Sequence, residues 1–349
     1  MAAARAFAVA ILLLLSACSP SGPPAPAGTE TPAAHLVERS RVTMGSELRL
    51  TAWTADEANA VLAFEHIFDD FDALDRQLSV WHETSEISRL NAAAGKAPVT
   101  LKPEVIEVLR LSREIGDWTN GKFDITFGAL SGLWKFDHDQ DNIIPSPAAV
   151  AARLPLVGYE ALQLDLQNNT AFLAKAGMRV HLGGIGKGYA VDRAAVMLRS
   201  HGINDFLIQA GGDLYAGGKR GDRPWRAAIR DPRGEGSFAA MNLSDETFST
   251  SGDYERFFMK NGRRYHHILD PDRGEPARGS RSVTIVATKA VVADGLSTGV
   301  FVMGPDEGMA LIERLPDVEG VIVTDRNEVR VSSGLRRRLE ILAPTTDAP

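Results

Sequence analysis

Three groups of residues in this chain have side chains and spacings suited to phosphate chemistry. The first is His181-Leu-Gly-Gly-Ile-Gly-Lys-Gly-Tyr-Ala-Val-Asp-Arg-Ala194, in which Gly183, Gly184, Gly186 and Gly188 crowd together and Lys187 stands among them. A glycine turn feeding a helix N-terminus offers bare amide N–H groups and the positive end of a helix dipole to an anion. Lys187 adds a mobile positive charge. The pattern is neither GxxxxGK[ST] nor GxGxxG, and a strand-to-helix turn needing glycine only for its backbone angles is the alternative. The second group is Asp294, Ser297 and Thr298, spaced i, i+3, i+4, which a helix brings to one face. A carboxylate beside hydroxyls suits Mg2+, which takes few protein ligands and completes its shell with water and phosphate oxygens; Asp294 as a helix N-cap is the alternative. The third is His267, an imidazole able to act as a general base near neutral pH, or else a structural histidine satisfied in a hairpin.

The elements that must position these groups are legible in the hydrophobic pattern. Met178 to Leu182 predicts a strand before the glycine turn, and Tyr189 to Leu198 a helix after it. Arg39 to Trp53 alternates and predicts a strand pair broken at Met44-Gly45-Ser46. Asp56 to Leu78 carries Val61, Phe64, Phe68, Phe71, Leu74 and Leu78 on one helical face. Asp69, Asp70, Asp72 and Asp75 on that helix point in different directions and read as a solvated face, not a metal cluster. Pro103 to Trp118 predicts a second amphipathic helix with proline in its first turn. Residues 132–155 read as loop, including Trp134 and the run Asp137, His138, Asp139 and Asp141, which lacks the glycine and distal glutamate of an EF-hand. Phe206 to Gly218 predicts strand, glycine bend, strand; Trp225 to Arg230 another strand; and Asn261-Gly262 a hairpin turn. Ser282 to Lys289 is a further strand. Trp81 follows the first helix, and its ring could stack on a flat heterocycle or lie half-buried under a loop. Helices and strands mix without regular βαβ alternation.

The sequence has 349 residues, 44% hydrophobic and 24% charged, with a formal net charge of −7. That is ample for a large core, one domain or two intimately joined ones. An acidic chain of this kind is a poor candidate for nucleic-acid binding. Arg5, an apolar stretch from Ala6 to Leu15 and the run Leu15-Ser16-Ala17-Cys18 resemble a bacterial lipoprotein signal, with Cys18, the sole cysteine, as the lipidated residue. This predicts a signal peptide at 1–17, a Pro/Gly/Ala-rich tether at 18–35 and a folded domain at 36–345, anchored to the cell envelope and facing the periplasm.

Six segments, in order, resemble the ApbE family of FAD:protein FMN transferases. They are the glycine turn, Leu78 to Asn91 (L-S-V-W-H-E-T-S-E-I-S-R-L-N), Thr119 to Thr126 (T-N-G-K-F-D-I-T), Gly211-Gly-Asp213, Thr250 to Tyr254 with His267 to Pro271, and Ala293 to Gly304. The resemblance spans about residues 39 to 334. It implies an α+β fold of mixed, largely antiparallel sheets with flanking helices rather than a Rossmann fold, with FAD in a cleft between two joined halves. It implies that Met44, Trp81, Lys122, Phe123, Asp124, His181, Lys187 and Ile268 lie beside FAD. By the same resemblance Gly184 (through its carbonyl), Asp294, Ser297 and Thr298 hold Mg2+, and His267 activates the acceptor hydroxyl. The implied reaction transfers FMN from FAD to a threonine or serine of an acceptor flavoprotein, releasing AMP. The implied acceptors are subunits of membrane-bound electron-transfer complexes. Two alternatives share the site: an Mg2+-dependent FAD pyrophosphatase, and a non-catalytic flavin-binding lipoprotein. His181 stands where the family usually has aspartate, so it can make one hydrogen bond there but not carry the negative charge. Trp81 replaces a usual tyrosine.

Overall fold

The computed structural model describes residues 33–137 and 139–348; the leader, Cys18, the tether up to residue 32, and His138 lie outside the described residues. Strands His35–Thr43 and Ser46–Thr54 pair antiparallel, with Leu48, Leu50 and Ala52 buried by alternation. The two residues between them both take positive φ, +46° at Met44 and +75° at Gly45. This is the turn geometry that suits a twisted hairpin, and a methionine seldom adopts it.

That hairpin begins an eight-stranded sheet. Its spatial order continues with Phe206–Ala210, Asp213–Gly217, Glu246–Gly252, Ser280–Ala287, Glu319–Thr324 and Val329–Val331. Every neighbouring pair is antiparallel. The helices, in chain order, are α1 (Glu57–Leu78), α2 (Glu86–Ala92), α3 (Pro103–Trp118), α4 (Pro147–Arg153), α5 (Gly186–Ser200), α6 (Ala290–Met303) and α7 (Pro305–Arg314). Asp56 caps α1 by accepting from Asn59 N, and Pro103 opens α3. Alternate residues of the same strands feed two cores. Val283 and Ile285 join Phe64, Phe68, Leu109, Val191, Leu296 and Phe301 under the helices. Val286, Val321 and Val323 pack instead on Trp225, Ile229, Phe238 and Met241 of a small second sheet. The acidic residues of α1 disperse, Asp70 to Arg193, Asp72 to Thr43 and Asp75 to His82.

Two sequence expectations are corrected. Met178 to Leu182 is extended but joins no sheet; its one ladder contact is an isolated bridge from Arg179 to Phe127. The Asn91 side chain takes the place of a neighbouring strand, accepting from Val180 N (2.7 Å) and donating to Val180 O (3.0 Å). The stretch 132–155, expected as loop, carries the short helix α4 (Pro147–Arg153) and a packed aromatic cluster. Trp134 and Phe136 are buried and stack with Phe258 and Tyr265 of the hairpin formed by Phe257–Lys260 and Arg263–His266. Asn261 and Gly262 turn that hairpin with φ of 52° and 72°.

Candidate active site

Helices α5 and α6 cap each other's first turns. Neither helix has a side-chain cap at its own N-terminus. Instead the Asp192 carboxylate of α5 accepts from Ala290 N (2.7 Å) and Val291 N (2.9 Å), while Asp294 Oδ2 of α6 accepts from Gly188 N (2.9 Å). Asp294 is therefore a cap, though for α5 and not for the helix that carries it. The approach depends on the absence of a side chain at 188, where a Cβ would lie 2.4 Å from Ala290 O and 2.7 Å from Asp294 Cβ. Burial, and then Asp213, raise the pKa of Asp192 and Asp294 alike above the carboxylate range; at Asp192 the two amides pull the other way, and at Asp294 the Lys187 charge does so first.

Lys187 extends from the first turn of α5 to two buried carboxylates, 3.1 Å from Asp213 Oδ2 and 4.0 Å from Asp294 Oδ2. Burial works against its charge, but Asp213 and Asp294 outweigh that and hold the ammonium above the ordinary lysine value. Asp213 ends the Ala210-Gly211-Gly212 bend; its Oδ1 accepts from Ser249, and its Oδ2 has no hydrogen bond, only the nearby ammonium. Ser249 and Ser251 project from one face of their strand toward α6. Ser251 Oγ lies 2.8 Å from Ser297 Oγ and 3.1 Å from Thr298 Oγ1, and Ser297 Oγ donates to Asp294 O (2.8 Å). Gly184 faces this hydroxyl row, its Cβ position 3.3 Å from Thr298 Oγ1 and 3.4 Å from Phe123 Cε2.

The structure thus brings Gly184, Lys187, Asp294, Ser297 and Thr298 together. Phe123 flanks them, buried, and Met44 closes on the same turn, its Cε 3.7 Å from the Cβ position of Gly186. His181 is joined to the turn through its Nδ1, which accepts from Gly183 N (3.1 Å); its ring meets Phe127, and burial pushes its pKa down to about 4. At His267 the backbone N and Nδ1 both face Arg256 O, at 3.1 and 3.3 Å. A carbonyl only accepts, so Nδ1 carries the proton and Nε2 keeps its lone pair. Burial, then the Arg256 charge, lower the pKa of this imidazole and keep it neutral. Arg256 in turn pairs with Asp137.

The other expected residues have the following surroundings. Lys122 pairs with Asp272 (2.6 Å) and Asp270 (3.5 Å). Asp124 faces inward, accepting from Thr126 N and Oγ1 and Tyr159 N, a turn role. Ile268 is buried, and Trp81 is 54% exposed. Sequence reasoning missed Asp192, Asp213, Ser249 and Ser251 as members of the centre. Gly-Gly-Asp213 and Thr250-Ser-Gly252 were visible as motifs, and the i, i+2 spacing of Ser249 and Ser251 is the signal that could have placed both hydroxyls on one face.

The donors brought together are hard oxygen: the buried Asp294 carboxylate and the Ser297 and Thr298 hydroxyls. Among the described residues no three His, Cys, Asp or Glu side chains form a metal-ligand group. Two nearly sealed carboxylates share one ammonium, 3.1 Å from Asp213 Oδ2 and 4.0 Å from Asp294 Oδ2. The centre is short of positive charge, and its residues fit a small divalent cation that brings its own water or phosphate oxygens.

Comparison with known proteins shows the family. The profile of the ApbE family matches residues 44–322. An FAD:protein FMN transferase of Klebsiella pneumoniae is 34% identical, over 88% of this chain and 89% of its own length. That of Treponema pallidum is 32% identical, over 87% and 89%. Among solved structures, the ApbE protein of Thermotoga maritima superposes with a TM-score of 0.81 at 32% identity, covering 87% of this chain and 99% of its own. The flavin transferase ApbE of Vibrio cholerae gives 0.80 at 28% identity, with the same coverage. With its profile, its relatives and its antiparallel α+β fold in agreement, the chain belongs to the ApbE family.

Proposed function

We propose that this protein transfers FMN from FAD to a threonine or serine hydroxyl of an acceptor flavoprotein. The observation that carries this is the meeting of the glycine turn with Lys187, Asp294, Ser297 and Thr298 in a member of a flavin-transferase family. The acceptor oxygen attacks the phosphorus that bears riboflavin. A new P–O bond forms to the protein, the bond to the AMP phosphate breaks, and AMP leaves with the electron pair. Nε2 of His267 takes the hydroxyl proton, and its proton-bearing Nδ1, held by Arg256 O, fixes the ring for that task. The positive end of the α5 dipole and the Lys187 ammonium face the diphosphate. Asp294, Thr298, Ser297 and the Gly184 carbonyl would hold Mg2+, which supplies Lewis-acid neutralisation of phosphate charge. Phe123 and Met44 form the apolar wall of the turn, and Trp81 offers an exposed ring for stacking.

The acceptors on this reading are subunits of membrane-bound electron-transfer complexes. The enzyme meets them in the periplasm, held to the membrane by a lipid on Cys18. The lipoprotein box and the Pro-rich tether support that placement.

The test incubates the full chain with FAD, Mg2+ and a candidate acceptor subunit. Flavin fluorescence that stays on the acceptor through denaturing electrophoresis, lost in Asp294→Ala, supports the reading. Release of FMN and AMP at the same rate with or without acceptor identifies a pyrophosphatase instead. Tight FAD binding without turnover identifies a carrier.

A further inference from the structure

We propose that in the nucleotide-free protein the Lys187 ammonium stands in for the missing cation, and that Asp213 is the positioning residue that seats it. Asp213 and Asp294 are 2% and 4% exposed. Two charges so enclosed need compensation. Among the described residues, Lys187 is the only lysine or arginine within ion-pair distance of either carboxylate. It is nearer Asp213, whose Oδ2 has nothing else, than Asp294, whose Oδ2 already accepts the Gly188 amide. Ser249 holds the other oxygen of Asp213 and fixes the seat.

The ammonium also has a way out. The Lys187 side chain is 24% exposed, and its Cε runs 3.8 Å from the Cβ position of Gly211, where no side chain blocks it. The inference rests on the proposed divalent site, and adds that Lys187 and the metal compete. A fixed positive charge 4.0 Å from Asp294 Oδ2 opposes a second cation on the same carboxylate. Lys187 therefore leaves Asp213 as the site fills and becomes available to the diphosphate. Nucleotide and metal thereby favour each other's binding through one side chain. A lysine that only touched FAD would leave nucleotide-free metal affinity alone.

The experiment measures Mn2+ binding to the full chain by electron paramagnetic resonance, without nucleotide. With Lys187, Asp213 and Asp294 all ionised, the state a metal ion binds, the centre is net −1 in the wild type, −2 in Lys187→Met, 0 in Asp213→Asn and −1 in the double variant. The expected order is Lys187→Met about tenfold tighter than wild type, Asp213→Asn about tenfold weaker, and the double variant near wild type. An unchanged affinity in Lys187→Met, with binding still abolished by Asp294→Ala, overturns the stand-in and leaves the metal reading intact. Undiminished Mn2+ binding in Asp294→Ala overturns the metal reading itself. Should Lys187→Met not fold, removing the pair together keeps the test: the double variant must bind more tightly than Asp213→Asn, and equal affinities refute the proposal.

Discussion

Adjacent histidines on one hairpin are set up for opposite purposes. His266 is 4% exposed, with Nε2 donating to Ala277 O, its edge against Phe301 and its Nδ1 without a partner. Burial pushes its pKa down to about 4 from the ordinary 6.5. The unfolded chain therefore binds the proton more readily. The stability this histidine contributes is complete above pH 6.5 and is lost as pH falls toward 4, a change on the order of 3 kcal/mol. Urea unfolding of the wild type and His266→Phe at pH 7.5 and 4.5 checks this: the variant should gain by that amount at the lower pH, and parallel curves would refute it. His267 is half-buried and has its proton fixed on Nδ1, which leaves the Nε2 lone pair for the base role proposed above. Its replacement by alanine should lower the transfer rate by about 10²-fold or more with FAD affinity little changed. A loss of flavin binding in equilibrium fluorescence titration would assign it to the pocket wall instead.

Between elements, the crosswise caps make one joint of two helices. Gly188→Ala should force α5 and α6 apart and cost about 3 kcal/mol, because backbone and Asp294 Cβ both stand within 2.7 Å of the added carbon. Gly186→Ala, two residues earlier, meets nothing closer than 3.7 Å and should be mild. Thermal melts of the two variants decide whether close approach or turn geometry is what position 188 requires. Asp192→Ala, which strips two amides of their acceptor, should cost about 1–2 kcal/mol. The same scale explains what was legible beforehand. Helical spacing disclosed α1, α3 and the Asp294–Thr298 face, because that period belongs to one segment alone. Asn91 replacing a strand beside Val180, Asp213 facing Lys187, and Ser251 facing Ser297 depend on which elements become neighbours, and local pattern carries none of that. The motif Gly-Gly-Asp213 announced a bend; only the packed sheet showed that its carboxylate faces a lysine.

Across the whole molecule, the chain's end is tied back onto the body. Thr346 N and Oγ1 donate to Asp231, while Arg281, 7% exposed, donates to Thr346 O and Asp347. Ending the chain at Pro344 should destabilise the fold by about 2–4 kcal/mol, since two nearly buried charges lose partners. Mn2+ affinity should stay at the wild-type value, and a parallel loss of affinity would show that the strap reaches the centre. The crosswise caps also set a calendar for synthesis. Gly188 and its acceptor Asp294 are separated by 106 positions. A nascent polypeptide must have released most of its length before the two can meet, so the pocket is a late product of folding with a long loop to close. A chain stopped before Asp294 would carry the glycine turn without the carboxylate that caps it.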